Sequence, residues 1–471
     1  MSENTYQGAD KGEGGVASGA GLYGICDEMR TVSHSLEPGD ISCVFPREIV
    51  DFIIDHLGQL KFRGVLQKCC LVCRAWVPRV RLHLFRRVTI YVEGPGDFTG
   101  SQQSILGEFS AFLSQAPPSV THNIHTLHIS GYARPAVFLT SIWNAAVKLP
   151  SLHTLRTSLL RIVGRIEHQD AIHSFTSLQL NDHTDINDLC TFLDLLLLSS
   201  NLAAFKSSPT AHGYRCPAYD YPPQKFSPPS AGMGLRSLML NTSDMIYLFA
   251  DRLFPIVSEN TLTSLSLSCL VTNKQTDTRN VGKLIRHAHQ TLEHISLKLS
   301  PPPADRGTLA EACSTALVDA VPAGTRELAC TGLNLDLCTS LVSFDLDLSS
   351  TSTFVLLFAH TLFKEFFSRH PEHVRILRFI VIHTCSLDDI KELDQTLQHM
   401  PSDSSTRVHL SWGSHGKSRK SRKSEAITPE ERDAFVEAMP SLHARGQLYF
   451  HPDDDSDSSV PWDACAEVDC E

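Results

Sequence analysis

Between Phe45 and Phe85 the apolar positions recur at the spacing of short amphipathic helices rather than of strands. Ile49, Ile53 and Leu57 step by four along one face, with Val50 and Ile54 beside them. Pro46 suits the start of that helix, where a missing N–H costs nothing, and Gly58 suits its end. A second face runs through Leu66, Cys69, Cys70, Cys73 and Trp76, and Pro78 opens a third short helix. Val88 to Val92 then reads as a strand leaving this helical module. Three helices of this length bury little surface, so the module stands to gain from docking against a partner or the rest of the chain.

From about residue 120 the pattern changes to apolar-x-x-apolar-x-apolar. It occurs at Ile124-Leu127-Ile129, Phe175-Leu178-Leu180, Leu235-Leu238-Leu240, Leu262-Leu265-Leu267, Leu292-Ile295-Leu297, Leu341-Phe344-Leu346 and Val374-Leu377-Phe379. Leu152-Leu155 and Leu202-Phe205 are partial copies. The starts lie 23 to 33 residues apart as far as Leu292, and the following gap of 49 leaves room for a further copy near Leu333 to Leu337. Helix-like segments, such as Ile186 to Leu198 and Asp388 to Leu397, fall between the strand-like cores. A strand and a helix in every unit is the signature of a leucine-rich-repeat-like array, in which stacking buries what one unit cannot. The spacing is irregular, and the Asn or Cys such repeats carry after the third apolar position is replaced here, as at His183 and Ser243. The competing reading is an ordinary α/β domain whose strands begin with Leu.

The expected fold is therefore α/β: a small N-terminal three-helix module followed by an irregular leucine-rich-repeat-like α/β solenoid. Residues 1–40, rich in Gly, Ser and acids, read as a disordered leader, and 41–92 as the helical module. Residues 93–119 hold a linker and a first helix, and 120–410 the array, interrupted by the proline-rich excursion Pro217 to Pro229. Residues 411–427 form a basic linker, 428–450 a terminal helix and strand with Thr428 as N-cap, and 451–471 an acidic disordered tail.

Composition narrows the function. The 471 residues are 42% hydrophobic and 20% charged, with no apolar run long enough to cross a bilayer and no signal peptide at the start, so the expected location is cytoplasm, nucleus or both. A net charge of −11 argues against nucleic acid as a partner. Between Ile41 and Ile90, however, nine Lys/Arg face three Asp/Glu, a local balance of +6 against −17 elsewhere. The fourteen cysteines are scattered, and Cys70-Leu-Val-Cys73 lacks the second ligand pair that zinc needs, so both read as small core residues. No Gly-x-Ser-x-Gly, His-Glu-x-x-His or Walker pattern occurs among residues that include 23 histidines. His122, His125 and His128 step by three around the first repeat core, where alternation sends them to solvent. The expectation is no enzyme, no catalytic residue, no metal and no cofactor. The run Lys417, Arg419, Lys420, Arg422 and Lys423 fits a nuclear-import signal or a regulatory patch for an acidic partner.

Two blocks carry a family resemblance. Phe45-Pro46-Arg47-Glu48-Ile49-Val50 resembles the opening of an F-box, and Leu71-Val72-Cys73-Arg74-Ala75-Trp76 resembles its later Val-Ser/Cys-Arg/Lys-x-Trp signature. Together with the intervening DFIIDHL they are similar to F-box-like proteins of fungi, in which variable or leucine-rich regions follow. The resemblance implies a module that docks a Skp-family linker protein, and through it a cullin, in the ubiquitin-conjugation pathway. A downstream region then selects an unknown protein substrate. Carried over by position, the linker contacts are Phe45, Pro46, Ile49, Ile53, Leu57, Leu66, Val72 and Trp76. Phe45 replaces the usual Leu, and the Gly58 to Gly64 connection departs from the usual Asp or Pro. The alternative is a scaffold outside ubiquitin chemistry whose helices pack on its own array.

Overall fold

The computed structural model describes residues 46–60, 62–92, 102–132, 134–166, 175–181, 183–186, 188–207, 233–253, 257, 261–271, 275–300, 333–347, 376–382, 387–398, 407–413 and 429–450. Phe45, the proline-rich excursion, the basic run 417–423 and both terminal segments lie outside these residues. The chain is mixed α/β and divides into two units, Met1–Val80 and Arg81–Glu471.

The first unit is helical. Helix α1 (Arg47–Gln59) follows Pro46, and α2 (Arg63–Val72) is followed by a 3-10 turn at Arg74–Trp76. Helix α3 (Val77–Arg86) begins in this unit and runs past its boundary. Val50 and Ile54, one turn apart on α1, are buried with Leu66, Cys73 and Val80, giving the unit its small core.

In the second unit, twelve strands among the described residues form one parallel sheet, in the order β1-β2-β4-β6-β8-β9-β10-β11-β12-β13-β14-β15. They are β1 (Arg87–Val92), β2 (Thr126–Gly131), β4 (Thr154–Ser158), β6 (Ser177–Leu180), β8 (Ala204–Ser207) and β9 (Ser237–Leu240). Then come β10 (Ser264–Val271), β11 (His294–Ser300), β12 (Ser343–Asp347), β13 (Ile376–Ile382), β14 (Arg407–Gly413) and β15 (Leu448–Phe450). Apart from three short strands that branch off, each strand lies beside the next in chain order.

The register aligns the middle apolar position of every copy. Val88, Leu127, Leu155, Leu178, Phe205, Leu238, Leu265, Ile295, Phe344, Leu377, Val408 and Leu448 form one continuous cross-strand row. From Leu127 to Val408 every member is buried. Each such side chain contributes about 1.5–3 kcal/mol, which is why the copies stack in this register and not one residue away. The first positions of the copies, from Ile124 through Leu341, are buried in the same core.

Two strands of the sequence reading are present as expected, and one expected copy is corrected. The strand read at Val88 to Val92 is present as β1, and it opens the large sheet, paired with β2 from Arg87 and Thr126 onward. The gap before Leu341 holds no strand near Leu333 to Leu337, where a 3-10 turn (Leu335–Leu337) stands and β11 pairs directly with β12. The terminal strand β15 pairs with β14, so it extends the same sheet.

A second parallel sheet of three short strands, β3 (Ala136–Phe138), β5 (Arg161–Val163) and β7 (Asp185–Ile186), branches from the first copies. Two residues before each strand, Arg134, Leu159 and His183 adopt the left-handed backbone conformation, so the chain repeats the same turn three times. A Cβ on Gly131 would come within 2.2 Å of the Leu159 carbonyl oxygen, so close approach of neighbouring turns requires glycine there.

Among the described residues, helices occupy several connections: α4 (Gln102–Gln115), α5 (Leu139–Ala146), α6 (Leu189–Leu196), α7 (Ser243–Leu248), α8 (Gln275–Ala288), α9 (Leu387–Leu397), α10 (Pro429–Ala438) and α11 (Pro440–Ala444). Parallel neighbours need such crossovers because the chain must return to the same end of the sheet. Polar groups fix several of them. The Asp188 carboxylate caps α6 by accepting from Thr191 N at 2.7 Å, and Asp394 of α9 accepts from Ser441 N and Leu442 N at the start of α11.

Candidate partner-binding surfaces

On α1 the apolar stripe is wider than the core beneath it. Val50 and Ile54 point inward, whereas Ile49, Phe52 and Ile53 are 49%, 70% and 51% exposed. Phe52 stacks on His56, one turn later, with ring centroids 6.4 Å apart. Leu60 and Phe62 between the helices, and Val65, Leu71 and Val72 on α2, are exposed as well. Eight of the fifteen exposed large hydrophobic side chains among the described residues thus fall between Ile49 and Val72. Scattered exposed apolar residues are ordinary, but such a concentration on so short a segment marks an interaction surface.

The frame behind this surface is electrostatic. Arg79 Nε donates to Asp55 Oδ1 at 2.7 Å and Nη2 to Oδ2, a two-pronged bond between α3 and α1. That hydrogen bonding raises the Arg79 pKa further above its usual high value. Arg47 lies 3.9 Å from Asp51, one turn along α1.

The expected linker contacts divide into three groups. Pro46, Ile49, Ile53 and Val72 are exposed, and Leu57 and Trp76 are half-buried. Leu66 is 2% exposed, so it supports the helices from within and presents no surface. Phe45, Lys417, Arg419, Lys420, Arg422 and Lys423 lie outside the described residues. Sequence reasoning passed over Leu60, Phe62, Val65 and Leu71 as contacts; their density within one segment was the available signal. Cys73 is buried and Cys70 half-buried among the same helices, and among the described residues no group of His, Cys, Asp and Glu is arranged to hold a metal ion. Among them, too, no helix is long and apolar enough to cross a membrane.

A second surface lies on the large sheet, on the face opposite the buried row. Strand alternation places Thr89, His128, Arg156, Gln179, Lys206, Met239, Ser266, Ser296, Asp345, Arg378, His409 and Tyr449 in register across the twelve strands. Met239 apart, polar or charged groups stand at every position of this row, whereas its neighbour is apolar throughout.

The histidines near its start are not simply turned to solvent. His128 is half-buried, its Nε2 2.8 Å from Ser158 Oγ, which donates to Ser130 Oγ at 3.0 Å. Burial lowers the His128 pKa, and the neighbouring Arg156 and Arg87 lower it further. His125 packs against His153 with centroids 5.0 Å apart, and its pKa is lowered by burial, His153 and Arg86. His122 is tied locally, its Nδ1 2.8 Å from the Pro118 carbonyl oxygen.

No family model matches the chain, and no curated protein matches it.

Proposed function

We propose that the chain is a substrate-recognition adaptor of a Skp-cullin-F-box type ubiquitin ligase. Its N-terminal helices dock a Skp-family linker protein, and its long strand–helix region holds a protein substrate. The observation that carries the reading is the cluster of exposed apolar side chains on α1 and α2, coincident with the two blocks that resemble an F-box. Ile49, Ile53 and Val72 combine both properties: they match the resembled contacts and their side chains are open to a partner. Truncating apolar anchors at the centre of an interface commonly costs about 2 kcal/mol or more, so a few residues of this kind suffice for a stable complex.

The second region supports the division of labour. Chain-ordered parallel strands with aligned apolar rows are what a solenoid of leucine-rich-repeat-like units requires. One face of its sheet is committed to the core, and the other presents a polar row wide enough for a protein ligand.

The test is affinity purification of the full chain from cells, with immunodetection of a Skp-family protein and a cullin. The adaptor reading expects both with the unaltered chain and neither with a folded Ile49→Asp variant. Absence of both from the unaltered chain refutes it.

A further inference from the structure

The polar row is not uniform along the sheet. On β2, β4, β6 and β8 it reads His128, Arg156, Gln179 and Lys206, with Arg87 one step along β1 and close enough to lower the His128 pKa. Strands β1, β2, β4, β6, β8 and β9 contain no Asp or Glu at any position. The first carboxylate in the row is Asp345 on β12. Lys206 is half-buried and makes no ion pair among the described residues. On the same edge of the sheet Tyr91 and Tyr132 are 68% and 77% exposed, at the end of β1 and just past β2, with Tyr132 N bonded to Val92 O.

We infer that the polar, half-buried face of β1, β2, β4, β6 and β8 is a docking surface for an acidic segment of a partner protein. The chemistry of recognition is charge complementarity. Strands stand about 4.8 Å apart, so Arg156 and Lys206, two strands apart, are separated by roughly 10 Å. Carboxylates on an extended segment crossing the strands recur at about 7 Å along one side, within reach of flexible Arg and Lys side chains. Arg and Tyr together are the side chains most often found to carry binding energy at protein interfaces, and both are present here. A protein ligand is favoured over a nucleic acid because the chain is acidic overall, with a net charge of −11. The inference leans on the adaptor reading only for what becomes of the captured protein.

The experiment uses the purified full chain and a fluorescently labelled oligoglutamate peptide, with anisotropy read at low and raised salt. The expected result is saturable binding that weakens with salt. Arg87→Glu with Lys206→Glu should weaken it by roughly tenfold, and Arg156→Gln should weaken it too. Lys298→Glu is the charge-matched control. Lys298 is exposed on β11, three strands from Lys206 and therefore about 14 Å away, beyond the screening length at physiological salt. It should leave binding unchanged. Three outcomes overturn the inference: no binding by the unaltered chain, equal loss in the Lys298→Glu control, or stronger competition by a single-stranded oligonucleotide than by unlabelled peptide. Linker capture in the purification above is read separately, so failure of one test leaves the other interpretable.

Discussion

Arg79 on α3 and Asp55 on α1 hold each other by two parallel hydrogen bonds, clamping the first unit across a core of five buried apolar side chains. With so little burial the pair matters more than its position suggests. Both side chains are partly exposed, at 42% and 30%, so screening limits the clamp to about 1 kcal/mol. Arg79→Ala should therefore speed amide hydrogen exchange in α1 and leave the strands of the large sheet unchanged. Equal acceleration in both would show that the clamp is not local.

Ile49 is half exposed and lies outside the core formed by Val50 and Ile54. Ile49→Asp is expected to preserve the helical circular-dichroism signal and to weaken linker binding by about 2 kcal/mol or more. Ile54→Asp buries a charge instead and should unfold the unit. Normal linker capture by a folded Ile49→Asp chain would remove α1 from the interface.

Leu178 and Gln179 are sequence neighbours on opposite faces of β6. Leu178 is fully buried in the apolar row, so Leu178→Ala should lower stability by about 2–5 kcal/mol. Gln179 is half-buried in the polar row, and its replacement by Ala should stay within about 0.5 kcal/mol. Urea denaturation of the two variants checks the assignment of faces directly; comparable losses would contradict the register.

The two histidines with lowered pKa set an acid-side dependence. Each binds its proton less readily folded than unfolded, where its value is about 6.5. The unfolded state therefore takes up protons first as pH falls. The stability contribution is complete above that value and is lost progressively on acidification below it. His125→Gln with His128→Gln should flatten the thermal-melting curve between about pH 6.5 and 5, where the unaltered chain loses stability. An unchanged slope would assign the acid dependence to other groups.

Because β1 belongs to the sheet, a fragment beginning at residue 101 strips the pairing partner from β2 along Thr126–Gly131. It leaves an unpaired edge over an apolar core that includes Ile90 and Val92. A fragment from residue 81 to 450 should be monomeric and melt at a higher temperature than one from 101 to 450. Size-exclusion chromatography with calorimetry would reveal the opposite ranking if β1 were dispensable.

The apolar-x-x-apolar-x-apolar segments were legible because burial constrains every copy in the same way. Leu127, Leu178 and Leu265 had to face one core, and a period-two alternation states that in one dimension. The helices were legible too, but spacing set Ile49, Ile53 and Leu57 on one face and did not show that Val50 and Ile54 beside them are the buried pair. What the sequence could not state is pairing across the sheet. Nothing local tells Val88 that its neighbour is Leu127, more than thirty residues away, so β1 read as an exit from one module and not the start of another. The same limit hid the cationic row. Arg156 and Lys206 are unremarkable in two separate copies, and only parallel register sets them in one row, two strands apart. Patterning along a chain records which side each residue faces. Which residues share that side is decided when hydrogen bonds between strands fix the register.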